Sequence, residues 1–159
     1  MDASAAFKRI NKESEDLAKL SSVDFTVEPI GGDIYKQQVT FRPSSGPFAG
    51  GAYKGVLEFP NDYPFTKPSF KFTSRMYHPN VAQGDGNVCM KLLKEWHPQA
   101  RATGPKPGSG DPSLLQVIAN FLVTPETADP LEADIAKMYL ENRGEFKKKA
   151  AEIVKANPK

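Results

Sequence analysis

The sequence predicts an α+β fold, in which an N-terminal helix precedes a four-stranded antiparallel meander sheet and C-terminal helices follow it. Three patterns predict this order: apolar residues recur at helical spacing first, alternate with polar residues in the middle, and return to helical spacing in the second half. The chain has 159 residues, 39% of them hydrophobic, which suits one globular domain with its own core. We therefore expect a single domain over residues 1–159.

The opening pattern predicts an amphipathic helix over roughly residues 4–20. One face carries Phe7, Ile10, Leu17 and Leu20 at helical spacing. Basic residues occupy the other faces, among them Lys8, Arg9 and Lys12. A charged outer face is ordinary for a surface helix, although it could also contact a partner.

Alternation of apolar and polar residues predicts four strands, near residues 25–28, 35–41, 53–59 and 70–72. Glycine-rich turns separate them, which favours a meander with one buried face. Residues 60–68 contain three prolines, and these exclude a ladder strand there. Residues 99–112 contain three glycines and three prolines, so we expect an irregular loop.

The second half returns to helices. Asp111 is predicted to cap a strongly apolar helix, with Pro112 at its first position. Asp129 is predicted to cap another helix, with Glu132 completing a capping box. A final helix is predicted around Phe146.

Composition argues against several classes of function. The net charge of +2 is too small to indicate nucleic-acid binding, and Lys147-Lys148-Lys149 is interpreted as a solvated helix face. One cysteine and two histidines without paired spacing predict no metal site and no internal disulfide. The absence of an apolar run of about 20 residues predicts no contact with a membrane. We expect a monomer in the cytoplasm, the nucleus or both.

The only cysteine, Cys89, is the most informative residue for function. A lone cysteine is either a buried packing group or a nucleophile, and Cys89 follows a Gly84-Asp85-Gly86 turn, which favours an accessible position. A Cys–His hydrolase would need His78 or His97 as its base, yet a structural role is favoured for each. Asn80 could donate to an oxyanion or serve as a turn residue.

The residues around Cys89 closely resemble the active-site region of ubiquitin-conjugating enzymes. The shared motifs are Tyr77-His78-Pro79-Asn80, Val88-Cys89 and Trp96 followed by Pro98. The resemblance continues from about residue 6 to residue 155, through Gly46-Pro47-Phe48, Asp62-Tyr63-Pro64-Phe65 and Asp129-Pro130-Leu131.

This resemblance implies an enzyme that accepts ubiquitin from an activating enzyme as a thioester on Cys89. It would pass ubiquitin to a substrate lysine or to a ligase cysteine, and it needs no cofactor because the activating enzyme uses the ATP. Asn80 would steady a loop or the oxyanion, and Asp129 would orient and deprotonate the lysine. His78 and Tyr77 would support the site. The implied ligase-binding residues are Lys8, Arg9, Lys12, Phe65, His97 and Pro98.

Two features depart from the family pattern. The 99–112 loop is longer than the usual link at this point, so it is either an inert insertion or a segment that affects docking or contacts ubiquitin. Lys91 stands where lysine-modifying relatives often have Asp or Ser, and its charge should repel an approaching lysine ammonium.

Two alternatives within this fold remain. One is a conjugating enzyme for another ubiquitin-like modifier. The chain lacks the long N-terminal extension and the charged insertion before Trp96 found in some dedicated relatives, which favours ubiquitin. The other is a non-catalytic ubiquitin-binding variant. Such variants lack the cysteine, whereas this chain has both Cys89 and Asn80.

Overall fold

The computed structural model describes residues 3–20, 23–88 and 98–159. The elements are helix α1 (Ala3–Ala18), strands β1 (Phe25–Ile30), β2 (Asp33–Phe41), β3 (Tyr53–Glu58) and β4 (Ser69–Phe72), and helices α2 (Leu114–Val123), α3 (Ala133–Glu141) and α4 (Arg143–Ala156). This order confirms the predicted fold class. No helix within the described ranges is long and apolar enough to cross a membrane.

The four strands form an antiparallel meander in the order β1-β2-β3-β4. Alternate side chains of the sheet enter the core, as the period-two pattern predicted; Val39, Phe41, Tyr53, Leu57, Phe70 and Phe72 are all buried. The Phe41 ring lies 5.9 Å from that of Phe70 and 5.7 Å from that of Phe72. Aromatic packing across β2 and β4 therefore fixes the centre of the core.

The predicted start of α2 at Asp111 is wrong. Ser113 is the N-cap: its hydroxyl accepts from the Gln116 amide at 3.3 Å, and the Gln116 side chain accepts from the Ser113 amide at 2.8 Å. The Leu114 backbone N–H donates to the Arg101 carbonyl, so the beginning of the 99–112 loop lies against the first turn of α2. A complete capping box at Ser113 therefore prevails over the Asp-Pro signal.

The predicted cap at Asp129 is also wrong. α3 begins after Glu132, which makes no side-chain capping bond to its own helix. The Glu132 carboxylate instead accepts from the backbone N–H of Gln83 at 2.9 Å. A contact with a distant segment thus replaces the local capping box that the sequence predicted.

Glu13 joins three parts of the chain that are distant in sequence. Its carboxylate is fully buried on α1 and accepts from the Arg9 guanidinium at 2.9 Å and from the Tyr63 hydroxyl of the 60–68 loop. Its other oxygen accepts from the amides of Ala102 and Thr103, at 2.8 and 3.0 Å. We call these five residues the Glu13 cluster. Its hydrogen bonds hold the proline-rich loop and the start of the 99–112 loop against α1.

A second set of polar contacts reinforces this attachment. Arg101 donates to Asp16 at 2.5 Å, and Lys12 lies 3.2 Å from the other oxygen of that carboxylate. Burial opposes ionisation of Asp16, but the hydrogen bonds and charges of Arg101 and Lys12 outweigh it, so its pKa lies below the ordinary value. The 99–112 loop is thus irregular, as predicted, but its first residues are firmly bound.

We expect Glu13→Ala to lower the free energy of unfolding by about 3–5 kcal/mol, because it leaves buried donors and the Arg9 charge without their acceptor. Urea denaturation measures the loss. Glu15→Ala is the matched control on the exposed face of the same helix, with an expected change within about 0.5 kcal/mol. Similar losses in the two variants would contradict this role for Glu13.

Candidate active site

The predicted site residues Tyr77, His78, Asn80 and Asp129 belong to two irregular segments that contact each other, residues 76–83 and 124–132. The first follows β4 and the second connects α2 to α3. Sequence analysis predicted that these residues act together. The structure shows which atoms join the segments.

His78 is fully buried, and both nitrogens of its ring have partners. The backbone N–H of Asn80 donates to Nδ1 at 3.0 Å, so Nδ1 is unprotonated. Nε2 therefore carries the proton and donates to the Phe121 carbonyl at 2.6 Å. Burial lowers the pKa of His78 from 6.5 to about 4, against a smaller opposing effect of the Phe121 carbonyl. His78 is therefore a neutral residue that connects the 76–83 segment to the end of α2.

Asn80 makes a two-way hydrogen-bonded contact with the backbone of Glu126. Its amide nitrogen donates to the Glu126 carbonyl at 2.8 Å, and its amide oxygen accepts from the Glu126 N–H at 2.9 Å. The side chain is 1% exposed. Asn80 thus supplies to the 124–132 segment the pair of bonds that a neighbouring strand would supply.

Further contacts hold the segment that carries Asp129. The Pro79 carbonyl accepts from the amides of Leu131 and Glu132, each at 3.0 Å. Asp129 itself is exposed, between the Asn80–Glu126 contact and these two hydrogen bonds. Two consecutive residues of the 76–83 segment therefore fix the chain on both sides of Asp129.

Tyr77 packs against α4. Its half-buried ring lies 5.9 Å from the Phe146 ring, and the Lys149 ammonium lies 5.5 Å from its centroid. Burial raises the pKa of Tyr77, and the charges of Glu145 and Asp134 add to the shift. These contacts attach the 76–83 segment to α4, and the supporting role of Tyr77 stays a prediction.

The turn before Cys89 requires glycine at position 86. Gly86 has a φ of +77°, and a Cβ there would lie 2.1 Å from the Phe72 carbonyl oxygen. The Gly86 N–H donates to the Ala82 carbonyl, and the Gly86 carbonyl accepts from the Phe72 N–H. Val88 then forms an antiparallel β-bridge with Val81. The chain is therefore well fixed up to Val88. Cys89 is the next residue in sequence and, like Lys91 and His97, lies outside the described residues.

The predicted ligase-binding residues lie in different environments. Phe65 is 73% exposed and Lys8 is exposed, whereas Lys12 pairs with Asp16. Arg9 is occupied within the chain: besides Glu13, it donates to the carbonyls of Pro98 and Ala100, at 3.0 and 2.5 Å. Its contacts indicate a residue that positions the 98–100 segment beside α1.

Sequence analysis missed several residues on which this arrangement depends. Glu13 and Arg101 have no local pattern that identifies their distant partners, and Glu126 takes part only through its backbone. Within the part of the chain that the structure describes, no group of three or more His, Cys, Asp or Glu residues could hold a metal ion.

Comparison with known proteins identifies the family. The family model described as ubiquitin-conjugating enzyme matches residues 9–154. This chain belongs to the ubiquitin-conjugating enzymes. Its fold is similar to that of a Plasmodium yoelii protein, described as a putative ubiquitin conjugating enzyme, whose crystal structure it matches with a TM-score of 0.79 and 27% sequence identity. The alignment covers 96% of this chain and 94% of that one.

Burial of neutral His78 predicts a loss of stability in mild acid. The unfolded chain binds a proton on this ring near pH 6.5, whereas the folded conjugating enzyme does so only near pH 4. The stabilisation is therefore present above pH 6.5 and falls as the pH drops towards 4. We expect urea denaturation to show about 2 kcal/mol less stability at pH 5 than at pH 7. This difference should shrink in His78→Gln, and an unchanged difference in that variant would exclude His78 as its source.

Proposed function

We propose that this ubiquitin-conjugating enzyme carries ubiquitin as a thioester on Cys89 and transfers it to a lysine or a ligase cysteine. The observation that supports this most directly is the fixed geometry of two described segments, the one that precedes Cys89 in the sequence and the one that carries Asp129. The chain is held up to Val88, and Asn80 and Pro79 hold the segment that carries Asp129. The family membership and the presence of a single cysteine support Cys89 as the nucleophile.

The reaction needs no strong base for its first step. The Cys89 thiolate attacks the carbonyl carbon of the thioester on the activating enzyme, a new C–S bond forms, and the thiolate of that enzyme leaves. This exchange between two thiols is nearly thermoneutral, and a free cysteine is a few per cent thiolate at neutral pH. His78 could not assist, because both of its nitrogens are occupied and its pKa is low. A carrier benefits when His78 cannot act as a base, since a strong base would also activate water.

Transfer to lysine is the harder step, because the ammonium must lose a proton before its nitrogen attacks. The amine then forms an amide with the ubiquitin carbonyl carbon, and the Cys89 thiolate leaves. An exposed carboxylate at Asp129 can orient the ammonium and accept its proton. We propose this role for Asp129.

We propose that Asn80 acts mainly by positioning the segment that carries Asp129. Both ends of its buried side-chain amide already bind Glu126, at 2.8 and 2.9 Å. The second N–H of this amide is buried with the rest of the side chain, whereas a donor for an oxyanion must reach the reacting carbonyl. The geometry of Asn80 therefore favours the loop-steadying role over the oxyanion role.

A charging assay tests the proposed function. The enzyme is incubated with activating enzyme, ATP and either ubiquitin or another modifier, and the products are separated on a non-reducing gel. We expect a thiol-sensitive adduct with ubiquitin that is absent in Cys89→Ala. An adduct with a different modifier only would establish the alternative carrier function. No adduct with any modifier, despite a folded protein, would overturn the proposal in favour of a binding module.

A double-mutant cycle separates the two roles of Asn80. The single variants Asn80→Ala and Asp129→Ala should each slow discharge of charged enzyme to free lysine, by about 10-fold or more. If Asn80 acts by positioning the Asp129 segment, the double variant should be little slower than the slower single variant. Effects that multiply would instead assign Asn80 to the oxyanion. Transfer to free cysteine serves as the control reaction, because it does not require deprotonation of an amine.

The remaining expectations stay predictions. The partners implied by family membership are ubiquitin, an activating enzyme and ligases. We propose that they bind a monomer in the cytoplasm or nucleus, without a cofactor.

We also predict that Lys91 slows transfer to lysine. The ratio of discharge to lysine and to cysteine, measured in the wild type and in Lys91→Asp, tests this prediction.

A further inference from the structure

The basic cluster on α4 divides into residues with different surroundings. Lys149 lies over the Tyr77 ring, and Glu145 acts on the same tyrosine through its charge. Lys147 instead lines a cavity of about 540 Å³ together with Arg143, one helical turn earlier. Lys148 is exposed and does not line this cavity. The sequence-based interpretation as a solvated face holds for Lys147 and Lys148, which are exposed, but not for Lys149, which is partly buried against Tyr77.

The cavity combines two cations with apolar walls. Its lining consists of Gly46, Pro47, Val123, Tyr139, Arg143, Phe146 and Lys147. This lining contains no carboxylate. Its volume falls in the range of small-molecule sites, which are mostly apolar with a few placed polar groups.

The Arg143 guanidinium has a fixed orientation, and some of its N–H donors are not used within the chain. It stacks on the Tyr139 ring at 3.6 Å from the centroid, and Nε donates to the Tyr139 carbonyl at 2.7 Å. The two terminal nitrogens make no hydrogen bond to any residue that the structure describes. A guanidinium with a fixed orientation and a free fork is suited to bind a phosphate through two parallel hydrogen bonds.

The pair Arg143 and Lys147 is a like-charge pair at i,i+4, which destabilises a helix unless an anion compensates it. No carboxylate among the described residues lies within 4.0 Å of either cation, although four such pairs occur on α1 and the adjoining loop. The uncompensated charge thus coincides with the cavity.

The cavity floor is rigid. Gly46 lies so close to the end of α2 that a Cβ would be 2.8 Å from the Cα of Val123. Phe146 is fully buried and packs edge-on against Tyr139, with centroids 5.0 Å apart. Arg143 and Lys147 therefore lie beside packed residues that do not need to rearrange before a ligand binds.

We propose that this cavity binds a small organic phosphate monoester, with its phosphate on Arg143 and Lys147 and its apolar part against Pro47 and Val123. We call it the α4 anion site. Its lining includes none of the residues proposed for conjugation, so binding can be tested without any ubiquitin assay.

Phenyl phosphate is the probe, in an NMR titration of the full chain at low ionic strength. We expect saturable shifts at the lining residues. Arg143→Gln and Lys147→Gln should each weaken binding by about 10-fold, the loss expected for one charge-assisted hydrogen bond. Lys148→Gln is the matched control, because it removes the same charge from the same helix, and it should weaken binding less than about twofold. If Arg143→Gln does not fold, Lys147→Gln against Lys148→Gln decides alone.

Two further probes define the ligand class. Inorganic phosphate should bind more weakly than phenyl phosphate, since it lacks the apolar part, and benzyl alcohol should not bind. Equal weakening in Lys147→Gln and Lys148→Gln, or equal binding of benzyl alcohol, would overturn the proposal. Binding of a phosphotyrosine peptide without binding of phenyl phosphate would also overturn it, in favour of a phosphoprotein partner.

Discussion

The placement of α1, the 60–68 loop and residues 98–103 depends on the buried carboxylate of Glu13. A buried charge is costly unless every lone pair finds a donor, and Glu13 finds them in Arg9, Tyr63 and the amides of Ala102 and Thr103. These donors come from three parts of the chain. The carboxylate is therefore stabilised only in the arrangement in which all three parts meet, and this arrangement places Tyr63 and the 98–100 segment against the middle of α1.

The candidate active site follows the same physical rule with neutral groups. Its two segments have no regular secondary structure, so their backbone donors and acceptors need partners from elsewhere. His78 binds the end of α2, Asn80 binds Glu126, and the Pro79 carbonyl binds Leu131 and Glu132. Two side chains and one backbone carbonyl thus replace a sheet ladder, and they hold the segment in which Asp129 is exposed.

Local patterns predicted the strands and helices well because burial of one face follows from spacing alone. Phe41, Tyr53 and Leu57 point into the core as their alternation requires. The helix starts at Asp111 and Asp129 were predicted wrongly for a definite reason. Several residues could cap each helix, and the choice depended on the Ser113–Gln116 box in one case and on Gln83 in the other. The Ser113–Gln116 box is a local pattern that competes with the Asp111-Pro112 signal two residues earlier, whereas the partner of Glu132 comes from a distant segment that spacing does not reveal.

The sequence by itself determined the fold class and family, because apolar spacing sets which faces must be buried and a specific series of motifs surrounds Cys89. Only the tertiary structure decided what the polar residues do. It assigned Arg9 to the carbonyls of Pro98 and Ala100, and it brought Arg143 and Lys147 to one cavity with no carboxylate in its lining. The physical reason is that the role of a charged or amide group depends on its hydrogen-bond partners in space, and for Arg9 those partners lie about 90 residues away in the sequence.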